Sequence, residues 1–191
     1  MLDILQVIFW SITYILINIA GYQNRDAKKT SIPYLAAAQN FSWEAVALIR
    51  SGGFWGHAVW LLLDAGILFF GFRFLHSLKK RCFFLAAILS LFLLFAGVFR
   101  LENGMLYSSF VIDFLMAVYY LIDRKKLSPK LKLPIAFTKL LGDTFAGLYY
   151  WRQSPFVAIL AGLVLLCNLY YLYLCLEERD DAPKENPGQI K

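Results

Sequence analysis

The chain has 191 residues, of which 60% are hydrophobic and 17% charged, and its formal net charge is +6. Soluble domains are about 45–50% apolar and about 25% charged, so this composition excludes an ordinary soluble domain. The apolar residues occur in blocks of about 20, the length that crosses a bilayer, separated by short charged segments. This pattern predicts an all-α, polytopic integral membrane protein in contact with the lipid bilayer. The positive charge is then explained by basic loops on one side of a membrane, not by nucleic-acid binding.

Seven transmembrane helices are predicted within one domain, residues 1–176. In chain order they cover residues 4–21, 33–50, 54–76, 82–99, 104–122, 133–151 and 155–176. The first block lacks the basic start and cleavage site of a signal peptide, so we interpret it as a retained span. The second and sixth are the least apolar and are expected to line the interior, whereas the fourth is expected to face lipid. Residues 177–191 are polar and are predicted to form a disordered cytoplasmic tail.

The distribution of basic residues predicts the orientation of these helices. One set of connections carries most of the positive charge: Arg25, Lys28, Lys29, Lys79, Lys80, Arg81, Arg124, Lys125, Lys126, Lys130 and Lys132. The opposite set carries only Arg50, Arg100 and Arg152. By the positive-inside rule, the N-terminus lies outside and the C-terminus lies in the cytoplasm.

Cysteines and histidines show no pattern typical of a disulfide framework or a metal site. Cys82, Cys167 and Cys175 are scattered and are interpreted as small apolar fillers. His57 and His76 stand alone, without the Cys/His cluster that zinc requires. We therefore expect no metal and no other cofactor.

Four acidic residues lie within the predicted spans, where a charge costs about 3 kcal/mol or more and usually marks a functional site. At a rise of about 1.5 Å per residue, Glu44, Asp143, Asp113 and Asp64 lie roughly 9, 12, 14 and 15 Å from the outer ends of their helices. They come from four different helices but fall in one layer. If those helices face a common cavity, the acids form a chamber in the outer half of the membrane.

Some of these residues have a purely structural alternative. Asp143 follows Lys139 by four residues, and an ion pair between them would lower the cost of burial. Asp113 follows Ser109 by four residues and would then serve as a hydrogen-bonding node.

Glu44 has the strongest functional interpretation. No Lys or Arg lies three or four residues from it, and an apolar environment favours the neutral acid over the carboxylate. A protonated acid in a dry, aromatic chamber is a Brønsted acid suited to an apolar substrate. The alternative is a structural acid that is hydrogen-bonded across helices.

Several polar and aromatic residues share a helix face with one another. Asn40 precedes Glu44 by four residues, and Trp60 precedes Asp64 by four. Asn168 and Tyr171, three residues apart, share a face of the seventh span. Structural alternatives are an interhelical hydrogen bond for Asn40 and ordinary packing for Trp43 and Trp60.

Four segments together resemble a known family. They are residues 21–26 (GYQNRD), 31–36 (SIPYLA), 40–44 (NFSWE) and 60–64 (WLLLD). This part of the chain resembles the small integral-membrane terpene cyclases of meroterpenoid and indole-terpenoid pathways in fungi and bacteria. The NFSWE match is the most specific, and the likeness continues to the last span through the seven-helix plan.

The resemblance implies a metal-independent cyclase that protonates an epoxide or terminal alkene of a prenyl chain. The family's acid in the second span matches Glu44. A second acid, before an aromatic run in the last span, is replaced here by Asn168. An amide cannot carry that charge but can orient Glu44 or bond an epoxide oxygen. Either Asp64, Asp113 or Asp143 then supplies the second acid, or the chemistry differs.

The expected function is therefore acid-initiated cyclisation of an apolar prenylated substrate. Glu44 is the expected proton donor, and Asn40 or Asn168 is expected to orient it or the substrate. Asp64 would polarise the site or relay the proton, and Asp143 is a further catalytic candidate. The expected substrate contacts are Asn40, Trp43, Trp60, Asp113 and Tyr171.

Other classes of protein remain open from the residues. A proton-coupled transporter also needs buried acids on several helices. A seven-helix photosensor is disfavoured, because the last span contains no Lys to form a retinal Schiff base. The third alternative is a non-catalytic, prenyl-binding homologue of the cyclases, suggested by Asn168.

Overall fold

The computed structural model describes residues 1–24, 29–53, 55–75, 77–127 and 131–180. Seven α-helices occur in this part of the chain, and it contains no β-strand. They are α1 (Leu2–Gln23), α2 (Tyr34–Arg50), α3 (Trp55–Phe74), α4 (Leu78–Val98), α5 (Gly104–Asp123), α6 (Lys132–Tyr150) and α7 (Pro155–Asp180). Each helix coincides with one predicted span to within four residues at either end, which confirms the all-α prediction.

The largest differences from the predicted boundaries are at charged helix ends. α4 begins at Leu78, so Lys79, Lys80 and Arg81 form its first turn instead of a loop. α7 continues to Asp180, so residues 177–180 of the predicted tail are helical. The remainder of that tail lies outside the described residues, as do the basic residues Arg25, Lys28 and Lys130.

Five of the helices, α1, α3, α4, α5 and α7, are long and apolar enough to cross a membrane. The other two are more polar and hold their polar side chains inside the protein. α2 has 17 residues and buries Gln39, Asn40, Ser42 and Glu44, and α6 buries an ion pair. This burial agrees with the expectation that the second and sixth spans line the interior.

Six helices form a closed ring, in the order α1, α3, α2, α5, α7 and α6, with α6 again contacting α1. α4 lies outside the ring and packs chiefly against α2. Its only buried residues are Phe84 and Phe95, so most of its apolar surface faces outward. This is the environment expected of the predicted lipid-facing helix.

Close packing of α1 against α6 depends on a glycine. Phe9 stacks on Phe145 with ring centroids 5.6 Å apart, and Thr13 donates a hydrogen bond of 2.9 Å to Thr138. Between these contacts, a Cβ on Gly142 would lie 2.9 Å from Cδ1 of Trp10. The order of the contacts shows that the two helices run antiparallel.

The two ends of the bundle differ in their connections. One end contains Met1 and the turns at residues 51–53, 99–103 and 151–154, and it is called the mouth end below. In the first turn Gly52 and Gly53 have φ of +68° and +89°, values that favour glycine. The opposite, basic end contains the 3₁₀ turn Arg124–Lys126, where the Thr30 amide donates to the Lys126 carbonyl at 3.0 Å.

Candidate functional site

A small cavity lies inside the helix ring, between α1, α2, α3 and α5. It has a volume of about 70 Å³ and is called the deep cavity. Its lining combines tryptophans, amides and two acids: Gln6, Trp10, Tyr14, Asn40, Trp43, Glu44, Trp60, Ser109, Ile112 and Asp113. The buried acid Glu44 therefore borders a space that a reacting group can occupy.

A larger cavity of about 450 Å³, the mouth cavity, lies towards the turns of the mouth end. Its lining comes from helix ends and turns: Asp3, Gln6, Val7, Trp43, His57, Trp60, Asn103, Met105, Leu106, Ser109, Tyr150 and Gln153. Four residues line both cavities, namely Gln6, Trp43, Trp60 and Ser109. A ligand in the mouth cavity therefore has the deep cavity directly beside it.

Glu44 is paired with a histidine across the α2–α3 turn. The Nδ1 of His57 lies 2.8 Å from Oε2 of Glu44, and both residues are buried. The His57 ring has edge contacts with Trp43 and Trp60, at centroid distances of 5.9 and 6.2 Å. Aromatic rings thus flank a hydrogen-bonded acid–imidazole pair.

His57 is the functional candidate that the sequence analysis missed. It was interpreted as an isolated histidine, and Glu44 as an acid without a neutralising neighbour within its own helix. The structure corrects this interpretation, since the partner comes from the next helix. The available signal was the short glycine turn at Gly52 and Gly53, which predicts that α2 and α3 pack side by side, but counting residues along the helices does not by itself pair His57 with Glu44.

Hydrogen bonds hold the cavity walls to neighbouring helices. Asn40 donates to the Tyr14 hydroxyl, linking α2 to α1. The indole Nε1 of Trp43 donates to Ser108 Oγ at 2.9 Å, linking α2 to α5. The indole Nε1 of Trp60 donates to Ser11 Oγ at 3.0 Å, linking α3 to α1. Indole N–H groups that have fixed partners orient both tryptophan rings.

The other two acids of this region differ in their access to the deep cavity. Asp113 is half-buried and lines the deep cavity. Ser109, the hydrogen-bond partner suggested for it by the sequence, donates instead to the Leu106 carbonyl at 2.8 Å. Asp64 is 1% exposed, and within the described residues neither of its oxygens has a hydrogen-bond partner. It lies within electrostatic range of Glu44 but behind the cavity wall.

A separate polar cluster joins α6 to α7. Lys139 Nζ donates to Asp143 Oδ2 at 2.7 Å and to Asn168 Oδ1 at 3.0 Å. The Asn168 amide donates to the same Asp143 oxygen at 2.5 Å. Lys139 Nζ also lies 5.3 Å from the ring centroid of Trp10, whose indole lines the deep cavity. The cluster therefore supports the cavity wall from behind.

Two of the four acids expected in a single chamber are among the described residues that line the deep cavity. Glu44 and Asp113 line the deep cavity, whereas Asp64 lies behind its wall and Asp143 belongs to the lysine cluster. The i, i+4 alternative suggested for Asp143 is the arrangement that occurs.

Two predicted residues of the last helix also lie away from the cavities. Asn168 binds Lys139 and Asp143 instead of Glu44. Tyr171 packs edge-on against Tyr120, with ring centroids 5.3 Å apart. The functional roles assigned to these residues stay predictions, but neither residue is among those that line the two cavities.

Few of the described lining residues are acidic or basic, and these are three acids and one histidine. Within the part of the chain that the structure describes, neither cavity lining includes a Lys or Arg. Over the described residues, no group of three His, Cys, Asp or Glu side chains is arranged to hold a metal ion. The arrangement offers an acid, an imidazole and aromatic faces as its chemical groups.

Comparison with known proteins adds no family to this geometry. No protein-family model, curated protein sequence or solved structure matches the chain. The two cavities and the Glu44–His57 pair are therefore the basis on which a function is argued.

Proposed function

We propose that this protein is an integral-membrane terpene cyclase that uses Glu44 as a Brønsted acid. The observation that carries the proposal is the buried Glu44 at the wall of a cavity that Trp43 and Trp60 also line, with His57 Nδ1 at 2.8 Å. A cavity whose described lining contains no Lys or Arg suits a substrate whose reacting end is hydrocarbon or epoxide. The resemblance of residues 40–44 to the membrane cyclases supports the same reading.

The proton of the Glu44–His57 pair starts the reaction. Transfer from the Glu44 carboxyl to an epoxide oxygen forms an O–H bond as a C–O bond breaks. Transfer to a terminal alkene instead forms a C–H bond from the π electrons. Either step leaves a carbocation, which the next double bond of the chain attacks to form a C–C bond and close a ring. Glu44 is left as the carboxylate beside His57.

The cavity walls stabilise the cation and end the reaction. The faces of Trp43 and Trp60 are available to the cation, and such contacts contribute about 2 kcal/mol when desolvated. A base on the cavity wall, for which Asp113 is the candidate in this proposal, removes a C–H proton, and the electrons of that bond form a new double bond. One proton enters and one leaves, so the product is an isomer of the substrate.

In this proposal, the remaining predicted residues position other side chains and do not themselves react with the substrate. Asp64 lies within electrostatic range of Glu44, and Asn40 fixes Tyr14 at the cavity wall. Asp143 and Asn168, with Lys139, hold α6, α7 and Trp10 in place. They are positioning residues here, and Tyr171 is a packing residue.

The proposed orientation places the mouth end outside and the basic end in the cytoplasm. It rests on the excess of Lys and Arg at the basic end and on the positive-inside rule. All seven helices cross the membrane in this proposal, with α2 and α6 shielded from lipid by the other five.

Incubation of membranes with prenylated phenols and indoles, with and without terminal epoxides, tests the proposal. The expected product is an isomer of unchanged mass and new retention time, formed by the unmodified protein and lost with Glu44→Gln. Glu102→Gln is the matched control, because Glu102 is an exposed acid at the same end of the bundle. Absence of product with folded protein, or equal product from Glu44→Gln, would contradict the proposal.

A proton-coupled carrier is the second candidate. The observation in its favour is the series of acids on α2, α3, α5 and α6, in which Glu44 lies within electrostatic range of Asp64 and Asp113, and Asp113 of Asp143. Substrate-driven proton flux in liposomes, with no chemical change in the substrate, would favour this candidate over the cyclase.

A further inference from the structure

The two cavities differ sharply in size. The deep cavity, at about 70 Å³, is well below the roughly 300–1,000 Å³ of typical small-molecule sites. The mouth cavity, at about 450 Å³, falls within that range. A prenylated substrate therefore has room for its reacting end beside Glu44, while the bulk of the molecule must lie in the mouth cavity.

Among its described lining residues, the mouth cavity offers hydrogen-bonding groups but no Lys or Arg that could bind an anion. Neutral side chains, among them Gln6, Asn103, Ser109 and Gln153, supply donors and acceptors. Its charged residues are in pairs, with Asp3 bound to the Met1 amino group at 2.8 Å and His57 bound to Glu44.

Arginines at the mouth end do not add positive charge to this lining. Arg50 donates to the Phe99 carbonyl at 3.5 Å, and the guanidinium of Arg152 lies 5.2 Å from the Trp151 ring centroid. None of the three arginines at this end, Arg50, Arg100 and Arg152, is among the described residues that line the mouth cavity. The nearby deep cavity contributes a further acid, Asp113.

We infer that the mouth cavity binds the non-reacting head group of the substrate, and that it accepts uncharged or cationic head groups and rejects phosphates and carboxylates. The inference rests on the proposed function, because it assigns the part of the substrate that does not react. Neutral amides satisfy hydroxyl, carbonyl or N–H groups. An anionic head group would lose its hydration beside acidic side chains, and no Lys or Arg of the described lining would compensate its charge.

Binding without turnover tests the inference. The probes are farnesol, farnesylamine and farnesyl phosphate, which share one prenyl chain and carry a neutral, a cationic and an anionic head group. Binding is measured by tryptophan fluorescence in nanodiscs of zwitterionic lipid, with empty nanodiscs subtracted. We expect the alcohol and the amine to bind at least about tenfold more tightly than the phosphate.

Two arginine variants locate the site. Gln153 is exposed and lines the cavity, so Gln153→Arg is expected to strengthen phosphate binding about tenfold and to weaken amine binding. Leu101→Arg adds the same charge at an exposed position on the same end but outside the cavity lining, and should change neither.

Three results would overturn the inference. They are equal or tighter phosphate binding to the unmodified protein, equal effects of the two arginine variants, and absence of binding by all three probes. Failure of the cyclase proposal is distinguishable from these results. It would show as charge-selective binding without any product that depends on Glu44.

Discussion

Glu44 and His57 form the central contact of the site, and the two residues line different cavities. His57 lines the mouth cavity, while Glu44 lines the deep cavity, and 2.8 Å separates His57 Nδ1 from Glu44 Oε2. In the proposed reaction Glu44 must regain a proton after every turnover. His57 is positioned to pass that proton from the mouth cavity to the carboxylate.

His57→Ala should slow steady-state turnover by about 100-fold, the size of effect typical of proton-transfer groups. Single-turnover cyclisation should fall less, because Glu44 still holds its own proton at the start. Comparing burst and steady-state rates of product formation measures the difference.

Added imidazole provides the control for His57→Ala. It should restore part of the steady-state rate by occupying the space left by the ring, and should not activate Glu44→Gln. Equal losses in the burst and steady-state phases, with no rescue, would mean that His57 only packs beside Glu44.

At the scale of whole helices, α6 is held on both sides by contacts that also define the cavity. Lys139 and Asp143 bind Asn168 of α7, and Gly142 allows Trp10 of α1 to lie against the helix. The cation of Lys139 lies on the face of the same indole. A small change at the α1–α6 contact should therefore move a wall of the deep cavity.

Gly142→Ala should destabilise the protein and reduce cyclisation together. Its Cβ would lie 2.9 Å from Trp10 Cδ1, and overpacking of this kind costs about 1–3 kcal/mol. The measurements are the midpoint of thermal unfolding in detergent and the rate of product formation.

Gly162→Ala is the matched control for this substitution. It lies in α7, and no heavy atom lies within 4 Å of a Cβ built there, so the substitution should leave both measurements unchanged or raise stability slightly. If Gly142→Ala behaves like Gly162→Ala, the α1–α6 contact does not constrain the cavity.

For the whole molecule, the helix ring explains how polar α2 and α6 can belong to a membrane protein. Within the ring, α2 lies between α3 and α5, and α6 lies between α7 and α1, and all four neighbours are long and apolar enough to cross a bilayer. The mouth cavity lies at one end of the bundle. The orientation of the bundle therefore decides from which side of a membrane a substrate and protons would reach it.

Cysteine labelling measures that orientation. In a background with Cys82, Cys167 and Cys175 replaced by serine or alanine, Ser51→Cys should react with a membrane-impermeant maleimide in intact cells. Lys125→Cys should react only after permeabilisation. Both native positions are exposed, at the mouth end and the basic end respectively. The reverse pattern would place the mouth cavity on the cytoplasmic side.

The sequence by itself determined the number and length of the helices and the depth of the candidate residues along them. Blocks of apolar residues set the number and length of the helices, and the polar residues of α2 and α6 marked the helices that turn inward. The spacing of Asn40 and Glu44 put both on one helix face. These properties follow from local geometry, since a residue's depth along a helix is its count from the end multiplied by a fixed rise.

Only the tertiary structure decided which side chains meet. It paired Glu44 with His57, gave Asn168 to Lys139 and Asp143, and separated Asp113 on the cavity wall from Asp64 behind it. It also excluded α4 from the ring. These outcomes depend on the rotation of each helix about its own axis and on its choice of neighbours. Both are settled by packing among all seven helices, because residues at equal depth can face a cavity, another helix or lipid.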